Sequence, residues 1–175
     1  MVSQVNPFHR PRLCQLLTVA SRVLLSAWVG GAVLFVITSV AEQSHPGFDS
    51  FIRDQLATIR FPLYYQFCWF TLGTSLLCIA AALLLQARPR NSRLTLSATL
   101  SCISLLIAVI DYQWIYKPLQ SLISPPGQTR TPAFTTLHEQ SKLANETHLA
   151  IALISALILC SCPTTHTAQR PAENP

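Results

Sequence analysis

The residues with the clearest capacity for chemistry lie on one stretch toward the C-terminus. His138, Ser141, Asn145, His148, Ala152 and Ser155 step by three, four, three, four and three. Those intervals put them on one face of an α-helix. Glu139, Lys142 and Glu146 fall on another face, spaced so that they can pair as solvated ions. The pattern has two readings: a polar face lining a site inside a bundle, or a polar helix entry that turns apolar at an interface.

Asp111 adds a carboxylate directly after the apolar run Leu94 to Ile110. At 1.5 Å per residue it stands about 27 Å beyond Arg93, at the far end of a membrane crossing. An ionisable group at such depth is costly unless paired or wetted, so Asp111 and His148 head the candidate site with His138, Ser141 and Asn145. Glu42 and Arg60 end neighbouring apolar runs on the same side and are the candidate ion partners. The plainer alternative is that Asp111 pairs with Arg60 or caps the boundary. Cys160 and Cys162 offer two thiolates to a soft metal, with Cys14 on the same side. A closed zinc site takes four ligands, so this is a weak metal signal. No phosphate-binding glycine loop or nucleophile elbow is present, and the sequence leans away from an enzyme.

The composition says what must position these groups. Half of the 175 residues are hydrophobic and 11% are charged. A soluble domain carries about 25% charged residues, so the deficit points to lipid as the solvent. The net charge of +5 comes from arginines flanking apolar runs rather than from a basic face interleaved with aromatics. That pattern is a topology signal and argues against nucleic acid as a partner. Six cysteines do not imply a disulfide framework, because Cys68, Cys78 and Cys102 lie within apolar runs as small hydrophobes.

A membrane helix needs about 20 mainly apolar residues. Val23 to Ala41 and Phe61 to Ala87 contain no Asp, Glu, Lys, Arg or His. Leu94 to Ile110 is extended by the aromatic collar Tyr112, Trp114, Ile115 and Tyr116. Thr147 to Cys162 is short and can be lengthened by a helix starting near Pro132. The expectation is an all-α integral membrane four-helix bundle with spans at about 23–41, 61–87, 94–116 and 135–162. Residues 1–12 and 163–175 are expected as mobile tails, and 47–60 as a short amphipathic helix on the outer surface, from the helical spacing of Phe48, Phe51, Ile52, Leu56 and Ile59. Ser39-Val40-Ala41 resembles a signal-peptidase site, but the apolar run before it is long for a signal peptide, and retention is preferred.

Arg10, Arg12 and Arg22 precede span one, and Arg88, Arg90 and Arg93 connect spans two and three. This short-loop bias places both termini in the cytoplasm, with the cell (inner) membrane as the expected location. Helix contacts in lipid favour small and polar residues. Such stripes are Ser26/Gly30 and Ala27/Gly31 in span one, Thr71, Ser75, Cys78 and Ala82 in span two, and Ser97, Ser101, Ser104, Ala108 and Asp111 in span three.

The segment Phe134-Thr-Thr-Leu-His138-Glu-Gln-Ser141-Lys-Leu-Ala-Asn145 resembles the F-x-x-x-H-x-x-S-x-x-x-N entry to the last helix of the transmembrane protein 205-like family, a domain of unknown function. Trp28-Val-Gly30-Gly31 with Leu34-Phe35 is similar to its first span. Gln55 with Phe61-Pro62-Leu-Tyr64-Tyr65 is similar to its second, and Asp111-Tyr-Gln-Trp114 through Lys117-Pro118 to the end of its third. The resemblance covers residues 20–162 and implies a four-span protein in which His138, Ser141 and Asn145 form the family's polar signature.

Three functions are compatible with these residues. The first is a non-enzymatic membrane bundle acting in envelope physiology or interaction, with the bilayer, a homo-oligomer or other membrane proteins as partners. The second is a small transporter or exporter subunit using the outward polar cluster. The third is a haem- or metal-dependent redox protein, by analogy with other membrane bundles that use histidines. His138 and His148 are about 15 Å apart along one helix and cannot ligate both faces of one haem within the chain. No other His lies within a span, so no cofactor is expected.

Overall fold

The computed structural model describes residues 9–86 and 92–161. The expectations for Arg88, Arg90, Cys162, residues 1–8 and residues 163–175 lie outside those residues, while residues 9–12 of the expected N-terminal tail already belong to the first helix. Four helices are long and apolar enough to cross a membrane, over Arg12–Ser44, Ser50–Leu85, Ser92–Leu122 and Pro132–Cys160. In full they are α1 (His9–Ser44), α2 (Ser50–Leu85), α3 (Ser92–Ile110) and α5 (Pro132–Cys160). The third crossing helix continues from α3 through a π-helical stretch, Asp111–Tyr116, into α4 (Lys117–Leu122). Among the described residues there is no strand.

Local chemistry sets the helix starts. The Asp49 carboxylate accepts from the Ile52 backbone N–H at 2.9 Å and caps α2. Thr131 caps α5 through the Phe134 N–H, and Pro132 occupies the first turn, where a missing N–H costs nothing. The separate surface helix expected over 47–60 is not found. α2 runs unbroken from Ser50 through Arg60 and Pro62 to Leu85. Proline removes one ladder bond and disfavours helix before it, but within a long helix held by its neighbours that loss bends rather than ends the helix.

The helices pack in a ring, α1 on α2, α2 on α3, α3 on α5 and α5 on α1, with α1–α2 and α3–α5 the most extensive sides. Small polar residues make these seams. Ser21 Oγ donates to the Ser75 carbonyl at 3.3 Å, and Ser75 Oγ donates back to the Ser21 carbonyl at 3.2 Å. Between α3 and α5, Ser155 Oγ sits 2.8 Å from Ser97 Oγ and 2.9 Å from Ser101 Oγ. Each such bond is worth about 1 kcal/mol or less in a membrane, and their main effect is to permit close helix approach. Outward, every long helix shows large apolar side chains, among them Val23, Leu34, Phe70, Leu77, Leu106 and Leu157. A monomer in water rarely shows such continuous apolar cover.

The stripe expected on α1 needs correction. Ser26, Ala27 and Gly30 are exposed, and the buried face is Ser21, Leu25, Trp28 and Ala32. The large indole of Trp28 takes the inward position and turns the small residues outward. Gly31 alone of that set meets a neighbour, since a Cβ there would lie 2.6 Å from the Phe67 ring.

The start of α1 and the end of α5 share one end of the bundle. There Arg22 Nε donates to the Leu159 carbonyl at 2.9 Å, and Arg93 Nη1 donates to the Ser161 carbonyl at 2.7 Å. Both guanidinium groups satisfy the negative C-terminal end of α5.

Candidate functional site

α5 carries its polar face inward only from Ser141 onward. Ser141, His148, Ala152 and Ser155 are buried, and Asn145 is half-buried. His138 is exposed and stacks on Phe134, one turn before it, with ring centres 5.7 Å apart. It stands apart from the others because the first turns of α5 extend beyond the tightly packed part of the bundle.

The π-helical stretch begins at Asp111, whose carboxylate is fully buried in the centre. Wide turns of this kind recur at functional sites because they redirect a side chain without ending the helix. Tyr65 on α2 donates its hydroxyl to Asp111 Oδ2 at 2.5 Å. Asn145 on α5 donates Nδ2 to the same oxygen at 2.8 Å and to the Ser141 carbonyl, also at 2.8 Å. The other end of that amide, Oδ1, lies 3.2 Å from His148 Nε2. His148 in turn stacks on Trp28 of α1, with ring centres 5.7 Å apart. Ser104 of α3 donates to the His148 backbone carbonyl at 2.8 Å. All four long helices therefore meet in one network. Asp111 Oδ1, His148 Nδ1, Trp28 Nε1 and Tyr116 Oη are buried there without a hydrogen-bond partner among the described residues.

The depth differs from the sequence expectation. The third helix continues about 16 Å beyond Asp111, to Leu122, so the carboxylate is inside the bundle rather than at its end. Neither does it pair with Arg60. Arg60 forms an ion pair with Glu42, donates to Thr38 Oγ1 at 2.5 Å and lies over the Phe35 ring. Phe35, Phe61, Tyr64 and Tyr116 pack between that pair and the Asp111 network. The groups expected at one end thus divide into a buried network, a separate Glu42–Arg60 pair and an isolated His138.

No family model matches the chain, and no curated protein or solved structure matches it. The site therefore rests on its own geometry. Among the described residues no group of three His, Cys, Asp or Glu could hold a metal ion. Cys160 is exposed at the end of α5, and Cys14 packs instead toward the Ala82 carbonyl of α2.

Tyr65 and Trp28 are the members that sequence reasoning missed. Tyr65 carried a signal, because a phenol deep in an apolar run needs a partner for its hydroxyl. A second missed feature lies at the far end, where Asp54 is buried and Arg130 pairs with its carboxylate. Gly127 also donates its backbone N–H to Asp54 Oδ2 at 2.9 Å, from a φ of +83° that favours glycine. This clasp ties the loop before α5 to the first turns of α2.

Proposed function

We propose that the chain is a multi-pass integral membrane protein of the cell (inner) membrane, with both termini in the cytoplasm, and that it works as a small transporter or exporter subunit. The arginine-rich end of the bundle, with Arg22 and Arg93 on the α5 terminus, supports that orientation. The observation that carries the transport reading is Asp111: a fully buried carboxyl group with no cation paired to it among the described residues, one oxygen of which lacks a partner among them. An ionisable group kept at such a place without a counter-ion marks a site that exchanges a charged or strongly polar species. Kinship with the transmembrane protein 205-like family belongs to this reading, on the strength of the Ser141 and Asn145 positions.

A non-enzymatic scaffold that binds other membrane proteins is the second reading. It is favoured by the way hydrogen bonds join α2, the third crossing helix and α5 around Asp111, with Trp28 of α1 stacked on His148. Proteoliposomes decide between them. Uptake of labelled inorganic cations and small amines above that of empty vesicles, lost in both Asp111→Asn and His148→Ala, is the expected result. Wild-type uptake in both variants, with the bundle still folded, removes the transport assignment.

A further inference from the structure

The Asn145 amide fixes the hydrogen-bond directions of the whole network. Its Nδ2 faces two acceptors, Asp111 Oδ2 and the Ser141 carbonyl. Turning the amide over would press Oδ1 against both of them, three acceptors with no proton between. Oδ1 therefore faces His148, and His148 Nε2 must be the donor at 3.2 Å. With Nε2 protonated, Nδ1 of a neutral imidazole carries a bare lone pair, and that atom is buried without a protein partner among the described residues. At the other end, Asp111 Oδ2 already accepts from Tyr65 and Asn145, whereas Oδ1 accepts from neither. Two proton-accepting atoms thus stand at the two ends of one bridge.

We propose that Asp111 Oδ1 and His148 Nδ1 are the paired proton-binding positions of a single site, bridged by Asn145, and that the ion taken up there is the proton. The inference rests on the transport reading of this cluster and names its coupling ion. Protonation forms an O–H bond at Oδ1 or an N–H bond at Nδ1, each proton coming from hydronium and leaving water behind. No bond of the chain breaks, and release reverses the step.

The surroundings favour a proton over a metal cation. The titratable side chains packed around the bridge are Tyr64, Tyr65 and Cys68 on α2, and Tyr112 and Tyr116 on the π-helical stretch. α1 contributes Trp28, and α3 contributes serine hydroxyls. The two ion pairs among the described residues, Arg60–Glu42 and Arg130–Asp54, both leave Asp111 out. One carboxylate, one imidazole and phenols do not make the six or more oxygen ligands that a hard cation takes. A proton needs a single lone pair.

The test reads protonation directly, in the full-length protein in lipid nanodiscs. In a chain carrying His9→Gln, His45→Gln, His138→Gln and His166→Gln, nitrogen NMR sees His148 alone without touching the network. The expected result is the Nε2–H tautomer at neutral pH, with Nδ1 gaining a proton on acidification. In parallel, the infrared difference spectrum on acidification is expected to show a carboxylic C=O band that vanishes in Asp111→Asn and shifts in Tyr65→Phe. An Nδ1–H tautomer overturns the proposal. So does a wild-type spectrum without a pH-dependent band, or one that Asp111→Asn and Tyr65→Phe both leave unchanged. If Asp111→Asn does not fold, the band shift in Tyr65→Phe and the His148 tautomer decide the matter. Protonation without solute flux would sink the transport reading alone, and flux without either signature would sink this inference alone.

Discussion

Tyr65 and Asp111 meet at 2.5 Å in the middle of the bundle, a phenol from one helix donating to a carboxylate from another. Neither group has access to solvent, so each depends on the other. Tyr65→Phe keeps the ring and its contacts with Tyr112 and Tyr116 while deleting the donor. The loss is expected to cost about 1–3 kcal/mol, the range for leaving a buried polar group short of a partner. Thermal unfolding in detergent checks it, with Tyr64→Phe as the comparison because no hydrogen bond joins its hydroxyl to Asp111.

Arg130 and Asp54 predict an asymmetry between two alanine variants. Arg130→Ala leaves the buried Asp54 carboxylate with the Gly127 N–H as its remaining donor from the loop. Asp54→Ala leaves a half-exposed guanidinium that water can solvate. Arg130→Ala is therefore expected to be the worse of the two, by about 1–2 kcal/mol after allowing for the exposure of Arg130. Its loop over residues 124–131 is expected to be cut first in limited proteolysis. Cutting no faster than in the wild-type chain, in both variants, would argue that the clasp contributes nothing to that loop.

Gly30 and Gly31 are adjacent and should behave oppositely. A Cβ at Gly30 meets nothing within 4 Å, while one at Gly31 strikes the Phe67 ring. Gly31→Leu is expected to separate α1 from α2 at a cost of about 1–3 kcal/mol, the usual range for overpacking. Gly30→Leu is expected to be nearly neutral. Comparable melting temperatures for the two variants would contradict the packing of α1.

The proposed orientation is open to labelling. In a cysteine-free background, Gln128→Cys is expected to react with a membrane-impermeant maleimide added outside intact cells. Ser92→Cys is expected to react only after the membrane is opened. Reversal of the two patterns would invert the protein.

Much of the bundle is legible in residue spacing. Ser97, Ser101, Ser104, Ala108 and Asp111 form one buried line, because a regular helix in lipid turns its small and polar residues toward its neighbours. The inward face of α1 is hidden for a physical reason: an indole has more surface to bury than a glycine has close approach to offer, and Trp28 decides which face turns in. The depth of Asp111 is hidden because the aromatic run after it looks like an interfacial collar. In the folded chain Tyr112 and Tyr116 pack on Tyr65, and the helix goes on through α4. Widening of the helix at Asp111 leaves no mark in the sequence. The packing of Tyr112 and Tyr116 on Tyr65 there is a contact between two helices that no local pattern records.

The arginines on the end of α5 bear on how the protein is made. α5 is the least apolar of the four crossing helices, with a peak hydropathy of 1.7 against 2.0–2.2 for the others. It is also the last of them to leave the ribosome. Arg22 and Arg93 lie on earlier helices, as do Ser97 and Ser101, so the partners of the terminal carbonyls and of Ser155 of α5 all precede it in the chain. A bundle assembled in chain order therefore already holds the hydrogen-bond partners of α5 when that helix docks.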